Sequence, residues 1–347
     1  MQIKRRKSKV VKIGNVSIGG SNPVAIQSMT KFKTSSIEEV VCQIKDLERV
    51  GCQIVRLAVK DSDDARALKK IKSKVKLPLV ADIHFDWRLA MQAIESGVDK
   101  IRLNPGNISK KEEIREIASA AKSHRIPIRV GVNSGSLVEG VAKSQVDAMV
   151  KSALDYVKIL EGFKFHEIVL SLKASNILDT IEAYRKVSKL CDYPLHLGVT
   201  ATGSPYAGAI KSSVALGSLL LEGIGDTLRV SLTEKPEVEV VAAKAILESL
   251  ELRNFGPEII SCPTCGRCEV DLVSIVRELE GKLSVVKTKK PVKVAVMGCV
   301  VNGPGEAKEA DIGVAFGKKE GLLFKKGKPV RKITTVECVR VLLRELK

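Results

Sequence analysis

The sequence predicts an α/β protein: a parallel (β/α)8 TIM barrel followed by a small α+β domain that contains a group of cysteines. Short apolar runs rich in β-branched residues recur eight times before residue 254, at intervals of 21 to 40 residues. The intervals hold amphipathic segments such as 37–50 and 62–75, whose apolar residues have a helical period. After residue 254 this alternation stops. We therefore expect one domain over residues 1–254 and a second over residues 255–347.

The eight predicted strands are the basis of the barrel interpretation. They are residues 24–29, 54–59, 79–84, 100–105, 127–132, 167–172, 194–199 and 227–232. An open doubly wound sheet is the alternative, but it would usually have fewer strands and a Gly-rich phosphate-binding turn after the first. That turn is missing here. The second domain is predicted to contain a helix at 270–283, a strand at 292–297, a hairpin of 312–315 with 321–324, and a helix at 336–346.

Composition limits the class of protein. With 44% hydrophobic and 28% charged residues, the chain is expected to be globular. No apolar run approaches the roughly 18 residues of a transmembrane helix. The basic N-terminus has no apolar segment behind it, so we expect neither a secretory signal nor a membrane partner, and a cytoplasmic location. Four of the eight cysteines lie in apolar surroundings and are expected in the core; these are Cys42, Cys52, Cys191 and Cys338.

The net charge of +18 predicts an anionic partner. Aromatic residues make up only 3% of the chain, and no basic run is interleaved with Phe or Tyr that could stack on bases. We therefore expect no nucleic-acid partner, although a basic binding module remains an alternative that salt-dependent affinity would reveal. An anionic substrate or an acidic electron-carrier protein fits the charge better.

The predicted strand ends carry polar and charged residues, and active sites of such barrels lie at these ends. They are Arg56, Asp82, His84, Arg102, Asn104, Arg129, Asn133, Ser171, Lys173, His196, Thr200, Arg229 and Ser231. Buried charges are costly without a partner, and guanidinium groups bind phosphate bidentately. Four arginines and a lysine at one mouth, with Asp82 as the carboxylate predicted there, thus indicate a pocket for a highly anionic ligand. Any single arginine could instead pair with a neighbouring carboxylate.

The segment 211–213 is predicted to open a helix and add phosphate contacts.

The second domain contains a predicted metal centre. Cys262 and Cys265 have Cys-x-x-Cys spacing on a loop with Pro and Gly, and Cys299 precedes a Gly-Pro-Gly turn that could bring Glu306 to the same centre. Cys-x-x-Cys alone is equally consistent with a zinc staple or a redox disulfide. Three thiolates with one weak carboxylate ligand favour an iron-sulfur cluster, whose carboxylate a substrate oxygen could displace. A zinc-stapled, aldolase-like barrel with Lys173 as a Schiff-base amine is the competing enzyme class.

Five motifs over nearly the whole chain resemble the 4-hydroxy-3-methylbut-2-enyl diphosphate synthase family, iron-sulfur enzymes of the non-mevalonate isoprenoid pathway. They are Cys262-Pro-Thr-Cys265, Met297-Gly-Cys299-Val-Val-Asn302-Gly-Pro-Gly-Glu306, Gly223-Ile-Gly-Asp-Thr-Leu-Arg-Val-Ser231, Asp82-Ile-His-Phe85 and Arg102-Leu-Asn-Pro-Gly106. The resemblance implies two-electron reduction of 2-C-methyl-D-erythritol 2,4-cyclodiphosphate, with ring opening and loss of a hydroxyl as water.

The resemblance also implies site residues and partners. The matching ligands of a [4Fe-4S] cluster are Cys262, Cys265, Cys299 and Glu306. The positions that match the diphosphate pocket are Arg56, Arg102, Arg129, Asn133, Lys173, Arg229 and Ser231, to which the strand ends add Asn104 and Thr200. Glu306 and Asn302 are implied at the catalytic centre beside the cluster. Ferredoxin or flavodoxin is implied as electron donor, and a head-to-tail homodimer as the assembly.

Two positions depart from the family pattern. Where the family has Thr-Glu-Ala-Gly after the seventh strand, this chain has Thr200-Ala201-Thr202-Gly203, so a carboxylate expected to handle a proton is absent. Glu306, Asp82 or a water would then take that role, or turnover would be reduced. The second departure is Cys268, which extends the motif to Cys-x-x-Cys-x-x-Cys. We expect this thiol to be a spectator rather than a competitor of Glu306 for the fourth iron.

Overall fold

The computed structural model describes residues 3–137, 144–174, 176–200, 203–283, 286, 288 and 290–346. It divides into two compact units, Met1–Arg253 and Asn254–Lys347. In the part of the chain that is described, no helix is both long enough and apolar enough to cross a membrane.

The first unit is a closed eight-stranded barrel preceded by a small hairpin. The hairpin pairs β1 (Val11–Ile13) with β2 (Val16–Ile18). The barrel strands are β3 (Ala25–Met29), β4 (Ile54–Val59), β5 (Leu79–Ile83), β6 (Lys100–Leu103), β7 (Ile128–Asn133), β8 (Ile168–Lys173), β9 (His196–Gly198) and β10 (Thr227–Arg229). All neighbours are parallel, in the order β8-β7-β6-β5-β4-β3-β10-β9. A parallel bridge between Leu170 and Leu195 joins β8 to the β9 side and closes the ring. The predicted barrel is confirmed.

A helix follows each barrel strand. The helices are α1 (Ile37–Arg49), α2 (Ser62–Lys72), α3 (Trp87–Glu95), α4 (Lys111–Ser123), α5 (Gln145–Gly162), α6 (Ile177–Leu190), α7 (Pro205–Leu221) and α8 (Pro236–Ser249). Several begin where a side chain accepts a hydrogen bond from the first turn, as Asp61 does from the backbone of Asp64 at α2. Proline opens α7 and α8, where its missing N–H costs nothing.

The hairpin closes the N-terminal end of the barrel. Val11, Ile13 and Ile18 are buried against residues near the starts of the strands, such as Ala25 and Ile54. This apolar plug leaves the C-terminal end as the open mouth.

The segment before the hairpin is tied to the last two strands. Arg5 and Ser8 each donate a hydrogen bond of 2.8 Å to Oδ1 of Asp226, which precedes β10. Arg6 donates to the backbone carbonyls of Cys191 and Tyr193, before β9. These hydrogen bonds connect the segment before β1 to the residues that precede the last two barrel strands.

The second unit is a five-stranded sheet with helices on both faces. Its elements are β11 (Glu258–Ser261), α9 (Leu272–Leu283), β12 (Lys293–Met297), α10 (Gly303–Glu309), β13 (Ile312–Phe316), β14 (Gly321–Lys325), β15 (Lys328–Ile333) and α11 (Thr335–Glu345). The strand order is β11-β12-β13-β14-β15, parallel as far as β13 and antiparallel beyond it. The predicted helices, strand and hairpin are confirmed, whereas β11, β15 and α10 were not predicted.

Successive residues of β12 face opposite sides of this sheet. Val294 and Val296 pack in the core formed with α9 and α11, whereas Ala295 and Met297 pack with α10.

One expectation about the cysteines is wrong. Cys52 and Cys338 are buried and Cys191 is half-buried, but Cys42 is exposed. The buried face of α1 carries Val40, Val41, Ile44 and Leu47. At 3.6 residues per turn, position 42 falls on the opposite side of the helix.

Candidate functional site

A cavity of about 330 Å³ opens at the C-terminal ends of the barrel strands. It is lined by Arg56, Asp82, His84, Arg102, Arg129, Asn133, Ser171, Lys173, Val199, Thr200, Arg229 and Ser231. Eight of the nine predicted substrate-binding residues are among these. A larger cavity, of about 740 Å³, lies beside Asp99, His124 and His166, and none of the five cations lines it. The smaller cavity is therefore the candidate substrate site.

Asn104, the ninth predicted residue, is buried outside this lining. Its side-chain oxygen accepts a hydrogen bond of 3.2 Å from the backbone of Gly106, so it shapes the loop after β6. Ala201 and Thr202, where the chain departs from the family pattern, lie outside the described residues.

The expectation for residues 211–213 is wrong. They lie in the middle of α7, which begins at Pro205, and Ser212 is buried. The backbone N–H groups there belong to the interior of the helix and are not free for phosphate.

Four of the five cations come from alternate strands. Arg56 lies on β4, Arg102 on β6, Lys173 on β8 and Arg229 on β10. Side chains of alternate strands share one layer inside such barrels. Arg129 comes from β7 and is 1% exposed. The fold thus gathers five cationic side chains at the mouth.

Asp82 on β5 is the one carboxylate among the described residues that line the cavity. Its oxygens lie 3.2 Å from Nη1 of Arg102 and 3.6 Å from Nε of Arg56. Burial raises the pKa of this carboxyl, but Arg56, Arg102 and Arg129 outweigh burial and lower the pKa to about 2. Asp82 is therefore ionised and holds two of the guanidinium groups in place.

Two nitrogen atoms of the Arg129 guanidinium group lack hydrogen-bond acceptors. These are Nε and Nη1, which are buried and have no hydrogen-bond partner within the described part of the chain. Burial and the neighbouring Arg56 and Arg102 lower the pKa of Arg129. Burial and the surrounding arginines lower the pKa of Lys173 as well. Donors buried without acceptors are costly, and an anion in the cavity would supply the acceptors.

Two residues that the sequence analysis missed contact cations at the mouth. Glu239, on α8 and 1% exposed, lies 3.4 Å from Nη2 of Arg229 and 2.9 Å from Nζ of Lys31. The sulfur of Met29 lies 2.9 Å from Nη2 of Arg56. A signal for Glu239 does exist, because it falls on the apolar face of its helix beside Val240, where an unpaired acid would be costly.

The predicted metal ligands lie around the ends of two neighbouring strands. Cys262 follows β11 directly, and Cys299 comes two residues after the end of β12. These strands are paired in parallel, with Ser261 opposite Val296, so both cysteines lie at the same edge of the sheet. The backbone N–H of Gly298 points at Sγ of Cys262, 3.4 Å away.

Two of these thiols are held in an environment that favours the thiolate. Backbone N–H groups of residues 301–303 lower the pKa of Cys299. The backbone and side chain of Arg267 lower the pKa of Cys265, and Nε of Arg267 lies 3.4 Å from its sulfur. Thiolates are the form that binds iron or zinc.

Asn302 and Glu306 follow Cys299 in the chain. Asn302 is the residue before α10, Glu306 is in the first turn of that helix, and both side chains are exposed. The turn that was expected after Cys299 therefore ends in a short helix. In the described ranges, no three His, Cys, Asp or Glu side chains are grouped to hold a single metal ion. A four-iron cluster needs no such group, because each of its ligands binds a different iron, and three thiols at one edge fit that requirement, with Cys265 exposed, Cys262 half-buried and Cys299 buried.

Cys268 is half-buried next to this edge. Its sulfur donates a hydrogen bond of 3.3 Å to the carbonyl of Val270 and packs against the core of the second unit. A Cβ atom on Gly298 would lie only 2.3 Å from that sulfur. Cys268 thus fills the space that a side chain at position 298 would need.

Solved structures similar to this chain include dihydropteroate synthases. The enzyme from Stenotrophomonas maltophilia has a TM-score of 0.54 and 13% identity, covering 70% of this chain and 98% of that chain. The enzyme from Xanthomonas albilineans has a TM-score of 0.52 and 12% identity, covering 71% of this chain and 100% of that chain. At such low identity these matches show the barrel fold alone.

Much closer relatives match the full length of the chain. A protein of Fusobacterium nucleatum, 53% identical over 99% of this chain and 96% of its own length, is named 4-hydroxy-3-methylbut-2-en-1-yl diphosphate synthase (flavodoxin). A protein of Lawsonia intracellularis with the same name is 55% identical over 95% of this chain and 92% of its own length. The family model described as the GcpE TIM-barrel domain matches residues 8–244, and that of the GcpE protein C-terminal domain matches residues 258–347. The chain therefore belongs to the GcpE family.

Proposed function

We propose that this chain reductively opens and dehydroxylates 2-C-methyl-D-erythritol 2,4-cyclodiphosphate to 4-hydroxy-3-methylbut-2-enyl diphosphate, a step of non-mevalonate isoprenoid biosynthesis. The product is the compound in the names of its full-length relatives. The observation that carries the proposal is the barrel mouth, where five cations surround a cavity of about 330 Å³. A diphosphate would supply the acceptors that Arg129 lacks.

The barrel residues bind and orient the substrate. Arg56 and Arg102 are fixed by Asp82, and Arg229 is fixed by Glu239, so their donors are in place before the ligand enters. Such preorganised donors stabilise negative charge without reorganising during the reaction. Asn133, Thr200 and Ser231 add neutral polar contacts at the rim. The arginines thus neutralise the diphosphate arm while the ring is opened.

We assign Lys173 to anion binding rather than to Schiff-base chemistry. It lies in the same cation cluster, and its lowered pKa has an ordinary cause in burial and in the nearby Arg56, Arg229 and Arg129. Membership in the GcpE family favours a redox enzyme over the aldolase-like alternative.

The second unit would hold a [4Fe-4S] cluster through Cys262, Cys265, Cys299 and Glu306. When bound, such a cluster supplies single-electron transfer and a Lewis-acidic iron. The chain's part is to keep the thiolates charged through backbone N–H groups and Arg267. Asn302 places an amide beside Cys299 for contact with the substrate.

The remaining assignments concern partners and location. Flavodoxin appears in the names of the relatives, and we propose flavodoxin or ferredoxin as the electron donor of this chain. A head-to-tail homodimer in the cytoplasm is the proposed form of the enzyme, with a barrel domain at 1–254 and a cluster domain at 255–347.

The test is turnover of the cyclodiphosphate by protein purified and reconstituted without oxygen. With a chemical reductant we expect 4-hydroxy-3-methylbut-2-enyl diphosphate, identified by mass spectrometry, from protein that holds about four irons per chain and absorbs broadly in the visible. Reaction mixtures without reductant are the control and should form no product.

Two outcomes would contradict the proposal. Protein with its full iron and sulfide that leaves the substrate unchanged would refute the reaction. Colourless protein with about one zinc per chain would refute the cluster.

A further inference from the structure

Each cation of the alternate-strand layer contacts the next strand around the barrel, and Arg56 and Arg102 also contact the strand before, at Met29 of β3 and Asp82 of β5. Arg56 on β4 reaches Asp82 on β5, at 3.6 Å. Nη1 of Arg229 on β10 lies 3.7 Å from the sulfur of Met29 on β3, the strand that follows around the ring. In the other two cases the cation leans over a glycine: Arg102 over Gly131 of β7, and Lys173 over Gly198 of β9.

Gly131 leaves the space that Arg102 occupies. A Cβ atom at position 131 would lie 2.5 Å from Nε and 3.3 Å from Cζ of Arg102, well inside van der Waals contact. Nη2 of the same guanidinium donates a hydrogen bond of 2.9 Å to the carbonyl of Gly131. The arginine therefore lies flat against the glycine backbone while its Nη1 reaches Asp82.

Gly198 likewise leaves the space that the side chain of Lys173 occupies. A Cβ atom there would lie 3.0 Å from both Cε and Nζ of the lysine, and 3.1 Å from the carbonyl oxygen of Arg229. A side chain at this position would therefore force the amine, the Arg229 carbonyl or both to shift by a few tenths of an ångström.

Backbone geometry does not require glycine at either position. Neither has a positive φ, unlike the turn glycines Gly223 and Gly225. Both lie inside strands, where glycine is less favourable than a residue with a side chain. What the two positions share is a cation lying over them.

We propose that Gly131 and Gly198 are positioning residues of the anion pocket, which set where the Arg102 guanidinium and the Lys173 amine meet the diphosphate of the substrate. The inference deepens the proposed function and rests on it for the identity of the ligand. The nearest atoms at both positions belong to the far ends of flexible side chains, so an added methyl group displaces the cation. Oγ of Ser171 at the first position and the Arg229 carbonyl at the second must also give slightly, and the pocket loses a correctly placed donor.

The test measures the affinity of the full chain for inorganic pyrophosphate by calorimetry, for wild type, Gly131→Ala and Gly198→Ala. We expect each variant to bind at least tenfold more weakly, the effect of misplacing one charge-assisted hydrogen bond. Gly217→Ala is the matched control, because nothing lies within 4 Å of a Cβ atom at that position of α7. It should bind pyrophosphate as wild type does.

A double-mutant cycle separates positioning from general damage. If Gly131 acts through Arg102, then Gly131→Ala should weaken binding much less in an Arg102→Ala background, which removes the Arg102 atoms and leaves the contact with Oγ of Ser171, at 3.2 Å. Gly198→Ala should likewise weaken binding much less in Lys173→Ala, where the contact with the carbonyl oxygen of Arg229, at 3.1 Å, remains. The inference would be overturned if the glycine substitutions lowered the affinity for pyrophosphate as much in the alanine backgrounds as in wild type. It would also be overturned if the single glycine variants bound pyrophosphate as tightly as wild type.

Turnover separates this inference from the proposed function. A wild-type enzyme that converts the cyclodiphosphate, with glycine variants that bind and react normally, refutes the inference and leaves the function intact. Weakened pyrophosphate binding in the glycine variants, with no turnover by wild type, supports the inference and refutes the function.

Discussion

The barrel mouth and the cysteine edge of the second unit prepare their ligand sites in opposite ways. At the mouth the charged side chains are buried and already fixed, since Asp82 holds Arg56 and Arg102 while Glu239 holds Arg229. At the cysteine edge, Cys265 and Glu306 are exposed, and no three ligand side chains in the described ranges are grouped for one ion.

The two sites therefore obtain their stability in different ways. The mouth stores an unfavourable arrangement, with like charges close together and with two donors of Arg129 that have no partner among the described residues, which the rest of the barrel must offset. The cysteine edge stores less, because Cys265 and Glu306 remain in contact with water and only Cys299 of the predicted ligands is buried. We therefore expect mutations at the mouth to change folding stability, and mutations at the cysteine edge to change the bound group and the activity.

The largest expected effect is that of Cys299→Ser. Loss of one thiolate should remove turnover and the visible absorbance, because an iron would lose its ligand. The free energy of unfolding and the affinity for pyrophosphate should stay as in wild type, measured by urea titration and calorimetry. Cys42→Ser, at an exposed cysteine of the barrel, is the control. A brown, fully active Cys299→Ser enzyme would rule out this ligand.

At the mouth, Asp82→Asn should destabilise the fold by about 3 kcal/mol at pH 7, because it leaves buried guanidinium groups without their counter-charge. Urea unfolding measures this, with the exposed Asp63→Asn as control. A loss no greater than that of the control would show that the mouth is not under electrostatic strain.

The pH dependence of the same variant has a definite sign. The folded-state pKa of Asp82, about 2, lies below its ordinary value of 3.8. The ionised carboxylate therefore contributes stability above pH 4, about 2 kcal/mol, which is lost as pH falls from about 4 to 2. Wild type should show this loss in urea titrations across that range, and Asp82→Asn should not. Parallel curves for the two proteins would contradict the ion-pair assignment.

Arg129→Met should separate stability from binding. Replacing a buried charge, two of whose donors have no partner among the described residues, by an apolar chain should raise the free energy of unfolding by about 1–2 kcal/mol. The affinity for pyrophosphate should fall about tenfold to a hundredfold, since charge-assisted hydrogen bonds are lost. Arg115→Met, at an exposed arginine of α4, should change neither. A variant that is less stable than wild type and binds pyrophosphate with unchanged affinity would show that Arg129 does not lower stability in favour of anion binding.

The smallest effect is expected for Cys268→Ala. Its thiol packs inward, so iron and sulfide content should equal those of wild type, with a stability loss of about 1 kcal/mol for one hydrogen bond and a small cavity. Reduced iron content would instead indicate that Cys268 is a cluster ligand, as Cys299 is predicted to be.

The sequence was sufficient to predict the barrel, and eight of the nine residues that it predicts to bind substrate line the cavity. Few folds other than a barrel accommodate eight such apolar runs that alternate with helices. Cations inside strands are uncommon, so their positions indicate which end of the barrel holds the site. The hairpin was missed because three-residue strands carry too little pattern. The helix α10 was missed because Gly-Pro-Gly is typical of a turn, although proline is equally suited to a first helical turn.

Other features depend on packing that no local pattern contains. Glu239 is separated from Arg229 by a loop and part of a helix, and only the tertiary fold shows that they pair. The roles of Gly131 and Gly198 depend on which way a neighbouring side chain leans, and strand periodicity does not specify that direction.

The attachment of the N-terminal segment to Asp226 has a consequence for how the chain folds during synthesis. Ser8 and its acceptor are separated by 218 residues, so this hydrogen bond can form only after the residues that precede β10 have been synthesised. Contacts between such distant residues slow folding, because a long loop must close before they contribute. We therefore expect closure of the ring between β3 and β10 to be a late step.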